Sequence, residues 1–186
     1  MISVLMSIYN EPEEWIKLSI ESILNQTFND FEFIIINDNP LRKSYSNLLN
    51  HYTTIDNRIK VIENEKNLGL TKSLNLGLEK AKGKYIARMD ADDISMPNRF
   101  KQQLDFLESN TDYVLCGTSR IDFNKGKEET IVLPSSDKEI KTEMLLRNRI
   151  THPTVMLRAK TLKENKLKYD EKVLKSQDYN LWCRLS

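Results

Sequence analysis

Residues 84–93 read KYIARMDADD, an apolar segment of strand length that ends in three carboxylates. In an extended chain, side chains two apart share a face, so Asp90 and Asp92 are predicted to point together and Asp93 away from them. Two adjacent carboxylates repel each other unless a cation lies between them, and hard divalent ions take carboxylates together with substrate phosphates. The stretch predicts a metal–diphosphate site. The alternative is a polar turn before Pro97, in which Asp93 or Ser95 caps the next helix.

The composition restricts the class of protein. A chain of 186 residues is long enough for one domain with a sizeable core. Charged residues make up 30% of it but nearly cancel, to a net charge of +1, which argues against a nucleic-acid partner held by bulk positive charge. Cys116 and Cys183 lack a partner motif, so we expect free thiols. With no signal peptide and no apolar run of about 20 residues, a soluble cytoplasmic domain is expected.

Around the opening stretch, apolar runs of strand length alternate with helical patterns. Four side chains recur at helix-like spacing and predict the buried face of the first helix: Trp15, Leu18, Ile20 and Ile23. Alternating strands and helices predict an α/β fold, a doubly wound and mostly parallel sheet with helices on both faces. The predicted strands are 2–9, 31–36, 59–62 and 85–89, and the predicted helices start at Pro12 or span 43–52 and 70–81.

The second half of the chain is less regular. Pro97 suits the start of a helix, and no linker or repeat marks an internal domain boundary. Two strands joined across Lys125 and Gly126 predict a small antiparallel element. The predicted elements are strands 113–123, 129–133 and 155–157 and a helix 137–147.

Polar residues follow several of the predicted parallel strands. In open parallel sheets, ligands bind outside the carboxyl ends of the strands. Residues distant in sequence are therefore expected to meet along one edge. They are Tyr9, Asn10 and Glu11 after the first strand, Asp38 after the second, and Asp90 and Asp92 after the fourth.

Several segments together carry a resemblance to a known family. They are SVLMSIYN (3–10), SILNQTF (22–28), FIIIND (33–38), NLGL (67–70), YIARMDADD (85–93) and QDYNLW (177–182). In this order and spacing, the chain resembles a family 2 glycosyltransferase with the GT-A fold. HPTVM (152–156) makes it similar to bacterial transferases that build capsular or exopolysaccharide chains.

The resemblance implies a nucleotide-sugar site. Ser7 and Tyr9 fall where the family holds the base and ribose. Asp38 matches the aspartate that accepts the N3–H of uracil, and Asn37 stands where a second acid is common. The other residues that the resemblance brings to the donor are Asn10, Glu11, Lys72, Ala91 and Asp90, with Asp90 as the ribose or sugar contact and Lys72 as a base or diphosphate contact.

The resemblance also implies a metal ligand, Asp92, for Mn²⁺ or Mg²⁺, and a catalytic base, Asp178. Asp178 shares a helix face with apolar side chains such as Trp182, where an unpaired charge is costly, so we expect it to open into a cleft. The alternative is a first-turn aspartate favoured by the helix dipole. His152 is either a contact to the acceptor or diphosphate or a buried structural histidine. Trp15 and Trp182 are predicted core residues.

The implied reaction is inverting transfer from a UDP-sugar to a hydroxyl of a saccharide or lipid-linked acceptor in cell-surface polysaccharide synthesis. Residues 1–186 would form one catalytic domain, with a nucleotide-binding half at about 1–95 and an acceptor half at about 96–186. We expect the acceptor half to continue beyond Ser186. The basic run 158–175 is either a peripheral contact with the inner face of the membrane or a solvated surface.

Two other classes of protein share part of this pattern. A sugar nucleotidyltransferase would carry a glycine-rich phosphate loop after the first strand, where this chain has Tyr9 to Pro12 without glycine. A non-catalytic module that binds nucleotide sugars remains open, and a transfer or hydrolysis assay separates it from an enzyme.

Overall fold

A computed structural model describes residues 1–124 and 126–186. Lys125, in the predicted connection between two strands, lies outside the described residues. The strands are β1 (Ile2–Ile8), β2 (Phe31–Asn37), β3 (Ile59–Glu63), β4 (Tyr85–Arg88), β5 (Leu115–Cys116), β6 (Arg120–Asn124), β7 (Lys127–Ile131) and β8 (Met156–Arg158). The helices are α1 (Glu13–Leu24), α2 (Lys43–Ile55), α3 (Leu70–Lys80), α4 (Arg99–Ser109), α5 (Asp137–Met144), α6 (Ala159–Glu164) and α7 (Gln177–Leu185), with a 3₁₀ turn at His152–Thr154.

The central sheet has six strands in the order β3-β2-β1-β4-β8-β5. The first four strands of the chain pair in parallel, and β8 runs antiparallel to both β4 and β5. A separate antiparallel pair, β6 and β7, forms the small element predicted for the second half. The prediction of a mostly parallel α/β sheet is confirmed. Because β1 lies between β2 and β4, the order of the strands reverses beside β1, and ligands bind at such a switch point.

Helices cover both faces of the sheet. Alternate residues of β1 point to opposite faces, so Val4 and Met6 belong to one apolar core and Leu5 to the other. The first core includes buried side chains of α1, α2 and α4. The second core includes side chains of α3, α6 and α7, among them Trp182, whose predicted burial is confirmed. Burial on both faces explains why these strands read as continuous apolar runs.

The predicted buried face of α1 was right in the second half of the helix and wrong in the first. Ile20 and Ile23 are fully buried as predicted, whereas Trp15 and Leu18 are 51% and 49% exposed and Ile16 is buried in their place. Ser19 is also buried on that face. A pattern that counts only apolar residues does not register a buried serine, so it assigned the wrong residues to the buried face in the first half of the helix.

The predicted strand 113–123 is two strands, β5 and β6, that belong to different sheets. The segment between them turns beside Thr154, whose hydroxyl accepts the backbone N–H of Thr118 over 3.2 Å. A Cβ on Gly117 would lie 3.2 Å from that same hydroxyl oxygen. The close approach lets the chain leave the central sheet, a tertiary contact that apolar patterning does not reveal.

Gly83 packs against the first strand so closely that it has no room for a side chain. A Cβ there would lie 2.5 Å from the backbone nitrogen of Ser3. We expect Gly83→Ala to lower the free energy of unfolding by about 1–3 kcal/mol, because backbone must shift to relieve the overlap. A melting curve should show a fall of several degrees, at about 2–4 °C per kcal/mol. Lys82→Ala is the control, because Lys82 is the neighbouring residue and its side chain is exposed. Equal melting temperatures for the two variants would contradict the prediction.

In the part of the chain that the structure describes, no helix has the length and apolarity needed to cross a membrane.

Candidate active site

A cleft of about 380 Å³ opens at the carboxyl ends of β1, β2 and β4. It lies at the switch point beside β1, as expected for an open sheet. Most of the residues predicted from sequence to hold a donor come together here. The lining residues are Ser7, Tyr9, Glu11, Asp38, Asn67, Gly69, Leu70, Asp90, Ala91 and Asp92.

The three aspartates after β4 form one acidic turn. Oxygen atoms from the carboxylates of Asp90, Asp92 and Asp93 all lie within 4.8 Å of one another. The prediction that Asp93 points away is therefore wrong. The strand ends at Arg88, and the N–H of Asp93 donates to the carbonyl of Asp90 over 3.4 Å, so the chain turns and the alternation of an extended strand no longer applies.

The acidic turn holds like charges close together. Desolvation, followed by the charge of Asp90, raises the pKa of Asp92. Although part of the Asp93 side chain is exposed, desolvation and then the charges of Asp90 and Asp92 raise the pKa of Asp93 to about 6. The buried guanidinium of Arg88 pairs with Asp90 and offsets only part of this repulsion. Three converging carboxylate oxygens are ligands that a hard divalent cation prefers, so the turn fits such an ion.

A polar stripe on α1 holds the acidic turn in place, and the sequence reading missed this role. The hydroxyl of Ser19 donates to the carbonyl of Asp90 over 2.9 Å. One turn further, Ser22 accepts the N–H of Ser95 over 3.0 Å. Gln26 donates to the Met96 carbonyl over 2.8 Å. Ser19 and Ser22 lie on one face of α1, and Gln26 follows the end of that helix. Polar residues beside the apolar stripe of a predicted helix were the available signal.

The raised pKa values predict how metal affinity depends on pH. A carboxyl must lose its proton to bind a cation, so protons compete with the metal as the pH falls through about 6, the pKa of Asp93. We expect the Kd for Mn²⁺ to rise steeply below about pH 6 in a calorimetric titration. In Asp93→Asn, the loss of affinity for Mn²⁺ should begin at a lower pH. An identical pH profile for that variant would contradict the prediction.

The raised pKa of Asp93 also makes the stability of the folded protein depend on pH. The folded pKa of Asp93 exceeds its unfolded value of 3.8, so the folded state binds more protons between these limits. Without metal, this group makes the protein less stable as the pH rises from about 4 to about 6, and bound cation should remove that loss.

Asp38 lies almost fully buried after β2, where it organises the loop before α3. Its Oδ1 accepts from Asn64 Nδ2 and from the N–H of Leu68, both over 2.7 Å. Its Oδ2 accepts the N–H of Gly69 over 2.8 Å. A carboxylate has about four acceptor positions, so Asp38 can accept one further donor from the cleft.

Gly69 lies in the wall of the first cleft. Its φ is 84°, a backbone conformation that favours glycine. It and its neighbours Asn67 and Leu70 belong to a segment that the sequence reading matched to the family without assigning them to the site. Asn37 faces elsewhere, since its amide donates to Glu63 over 2.7 Å. The different partners of Asn37 and Asp38 explain why only Asp38 lines the cleft.

Two predicted donor residues lie outside the lining of the cleft. Lys72 is exposed on α3. A side-chain hydrogen bond from Asn75 is the main cause that lowers the pKa of Glu171, and the charge of Lys72 makes a smaller contribution. Asn10 is exposed beside Tyr9, and the backbone N–H groups of both donate to the carboxylate of Glu11 over 3.1 and 2.8 Å. Glu11 thus shapes the chain after β1.

Asp178 and His152 meet in a second cleft of about 350 Å³, whose other lining residues include Arg120, Asn148, Arg149 and Thr151. Asp178 is half-buried in the first turn of α7 and accepts a hydrogen bond from Asn148 Nδ2 over 2.7 Å. The expectation that Asp178 opens into a cleft agrees with this placement.

His152 lines the cleft and is also packed as a structural residue. Its Nε2 and the hydroxyl of Tyr169 are 2.8 Å apart, and its ring meets Trp182 edge-on. Burial, followed by the charge of Arg88, holds the pKa of His152 well below its usual value of 6.5. The imidazole is therefore neutral at physiological pH. These contacts agree with the structural histidine, and a contact to the acceptor or diphosphate stays a prediction.

The chain was compared with protein families and with curated relatives. Residues 3–168 match the model of Glycosyl transferase family 2. The chain belongs to this family. An uncharacterized glycosyltransferase of Methanocaldococcus jannaschii is 42% identical across 99% of this chain and 64% of its own length. The amylovoran biosynthesis glycosyltransferase AmsE of Erwinia amylovora is 36% identical across 100% of this chain and 69% of its own length. The chain thus spans about two thirds of these relatives.

Solved structures show the same fold for this family member. The S. aureus protein TarS, residues 1–349 in complex with UDP, superposes with a TM-score of 0.77 at 22% identity, over 99% of this chain and 54% of that chain. The mannosyltransferase PcManGT from Pyrobaculum calidifontis, in complex with GDP-Man and Mn²⁺, gives a TM-score of 0.74 at 12% identity, over 99% and 51%. The predicted GT-A fold is confirmed.

Proposed function

We propose that this family 2 glycosyltransferase moves a sugar from a nucleotide-diphosphate donor, a UDP-sugar, to a hydroxyl of a saccharide or lipid-linked acceptor. The observation that carries the proposal is the convergence of Asp38 and the acidic turn in one cleft at the carboxyl edge of the sheet. AmsE, named for amylovoran biosynthesis, and WbnJ of Escherichia coli, named for O-antigen biosynthesis, support a role in cell-surface polysaccharide synthesis.

The donor would lie along the first cleft, with its base at Asp38 and its diphosphate at the acidic turn. The remaining acceptor position of Asp38 suits the N3–H of uracil, and the UDP and UDP-GlcNAc complexes of TarS support this choice. Ser7, Tyr9 and Glu11 would border the base and ribose, with Asp90 and Ala91 at the ribose or sugar. Asn10 and Lys72 stay predictions.

A divalent cation would be held by Asp92 together with its neighbours in the acidic turn. The Mn²⁺ in the complex of PcManGT supports this cofactor, although Mg²⁺ has the same preference for oxygen. When bound, such an ion stabilises the charge that develops on a leaving diphosphate. Arg88, buried against Asp90, would keep that carboxylate oriented while Asp92 and Asp93 face the ion.

The chemical step is proposed to be a single displacement. Asp178 accepts the proton of the acceptor hydroxyl while the oxygen of that hydroxyl bonds to the anomeric carbon. The bond from that carbon to the diphosphate oxygen breaks, and the diphosphate leaves with the electron pair. One displacement inverts the anomeric configuration. His152, neutral and aligned by Tyr169, would contact the acceptor in the second cleft.

Residues 1–186 are proposed to act as one catalytic domain, with donor residues in about the first 95 positions and Asp178 and His152 in the remainder. The proposed location is the cytoplasm. In the basic run 158–175, Lys160 pairs with Glu164 and Lys168 with Glu171, which favours a solvated surface over a contact with anionic lipid. Membrane contact stays a prediction.

A thermal-shift screen tests the proposed donor. UDP, UDP-GlcNAc, UDP-glucose and GDP-mannose are added with Mn²⁺ or Mg²⁺, and a ligand at about 100 times its Kd should add about 2.7 kcal/mol to the free energy of unfolding. We expect UDP species with metal to raise the melting temperature and Asp38→Asn to reduce that rise. Stabilisation by the guanine nucleotide alone would contradict the role of Asp38. Binding without transfer or hydrolysis would favour the non-catalytic module.

A further inference from the structure

Asn148 contacts Asp178 across the second cleft. The two residues come from separate elements, since Asn148 lies in the loop after α5 and Asp178 lies in α7. The amide nitrogen Nδ2 of Asn148 donates to Oδ2 of Asp178 over 2.7 Å. Among the described residues, Oδ1 of Asp178 has no side-chain partner, and both residues line the cleft. One carboxylate oxygen is therefore held and the other is left for a ligand.

The amide of Asn148 is itself oriented at its other end. The backbone N–H of Ile150, a buried residue, donates to Asn148 Oδ1 over 3.0 Å. Because this N–H requires an acceptor, the amide oxygen faces Ile150 and the amide nitrogen faces Asp178. The direction of the hydrogen bond to Asp178 thus follows from the backbone.

A second contact joins the same two elements. The hydroxyl of Tyr179, next to Asp178 in α7, donates to the carbonyl of Met144 at the end of α5. Two adjacent residues of α7 are therefore tied to the end of α5 and the loop that follows it. This limits how far Asn148 can move away from the carboxylate.

We propose that Asn148 is a positioning residue for the catalytic base, holding Oδ2 of Asp178 so that Oδ1 faces the acceptor hydroxyl. The inference rests on the proposed function, because it assumes that Asp178 is the base. A carboxylate held in one orientation reaches the geometry for proton transfer without a search of its own rotamers, and such preorganisation contributes to the rate. In this role Asn148 acts through Asp178.

The charged and titratable groups that face Asp178 determine which pH effects can be assigned to the pair. Arg120 and Arg149 line the same cleft and are always charged. His152 stays neutral because burial lowers its pKa well below 6.5. Burial raises the pKa of Tyr169, and the charge of Asp178 contributes to that rise. The rings of His152 and Tyr169 therefore stay neutral near pH 7.

The sharpest test is Asn148→Asp, which keeps the shape and the acceptor for Ile150 but replaces the donor by a second carboxylate. With the UDP-sugar that stabilises the protein most, we expect kcat to fall about tenfold to a hundredfold while KM for that donor stays unchanged. Because two adjacent carboxylates repel each other and share a proton more readily, the fall of kcat at acidic pH should begin at a higher pH than in the unmodified protein. Asn148→Ala should have a lower kcat, with the same pH profile as the unmodified protein.

Arg147→Ala is the matched control, since Arg147 lies in the same loop and its guanidinium pairs with Glu143. Unchanged kcat in both Asn148 variants, with Asp178→Asn inactive, would overturn the inference and leave the proposed function standing. A parallel rise in the donor KM would also overturn it. Full activity of Asp178→Asn would instead remove the base assignment. If Asn148→Ala melts early, the Asn148→Asp variant alone decides.

Discussion

Asp178→Asn is expected to lower kcat by about 10²- to 10⁴-fold, the usual contribution of a general base. The Kd of the nucleotide donor should stay the same, because Asp178 lies in the second cleft and the donor residues line the first. Asparagine preserves the size of the side chain and removes its ability to accept a proton. Steady-state kinetics with the donor found in the thermal-shift screen, together with a calorimetric titration of that donor, measures both quantities.

Gln177→Ala serves as the control for this substitution, since Gln177 precedes Asp178 in the first turn of α7. Its kcat should stay within a few-fold of the unmodified protein. If Asp178→Asn retained normal turnover, the proton would have to leave through another group and the proposed mechanism would be wrong.

Asp92→Ala is expected to weaken metal-dependent donor binding by about a hundredfold or more. A cation beside a diphosphate contributes several kcal/mol, and each factor of ten corresponds to about 1.4 kcal/mol. Without Asp92, the acidic turn keeps Asp90, which is paired with Arg88, and Asp93. Calorimetry of the donor with Mn²⁺ and with a chelator measures the metal-dependent part of the affinity.

Asp105→Ala is the matched control for Asp92, because Asp105 is exposed on α4 and pairs with Lys101 one turn away. Such a surface pair contributes little, so both melting temperature and donor affinity should change little. Donor binding by Asp92→Ala that equals that of the control would exclude Asp92 as the metal ligand.

Much of the central sheet could be predicted because its strands are buried on both faces. Burial requires continuous apolar runs, and such runs are visible in sequence. The strand 31–36 differs from β2 by a single residue, and the helix 70–81 from α3 by one. Predictions were poorer for short or exposed elements, since β5 has only two residues and depends on its pairing with β8.

The cleft shows a similar division. Asp38, Asp90 and Asp92 were found because they follow predicted buried strands, and parallel strands bring their carboxyl ends to one edge of the sheet, where ligands bind in folds of this class. Gln26 and Ser19 were missed because their partners lie about 70 positions away in the chain. Asn148 was missed for the same reason, since Asp178 is 30 residues further along.

The sequence by itself determined the α/β class, the edge of the sheet at which the first cleft opens, and the carboxylates gathered there. These follow from local periodicity and from the order of strands and helices, which a linear sequence records. Only the tertiary structure decided the direction of each carboxylate. Asp93 converges with Asp90 and Asp92 because the strand ends at Arg88 and the α1 side chains hold the turn. Side-chain direction in a turn depends on partners distant in the chain, and periodicity does not record those partners.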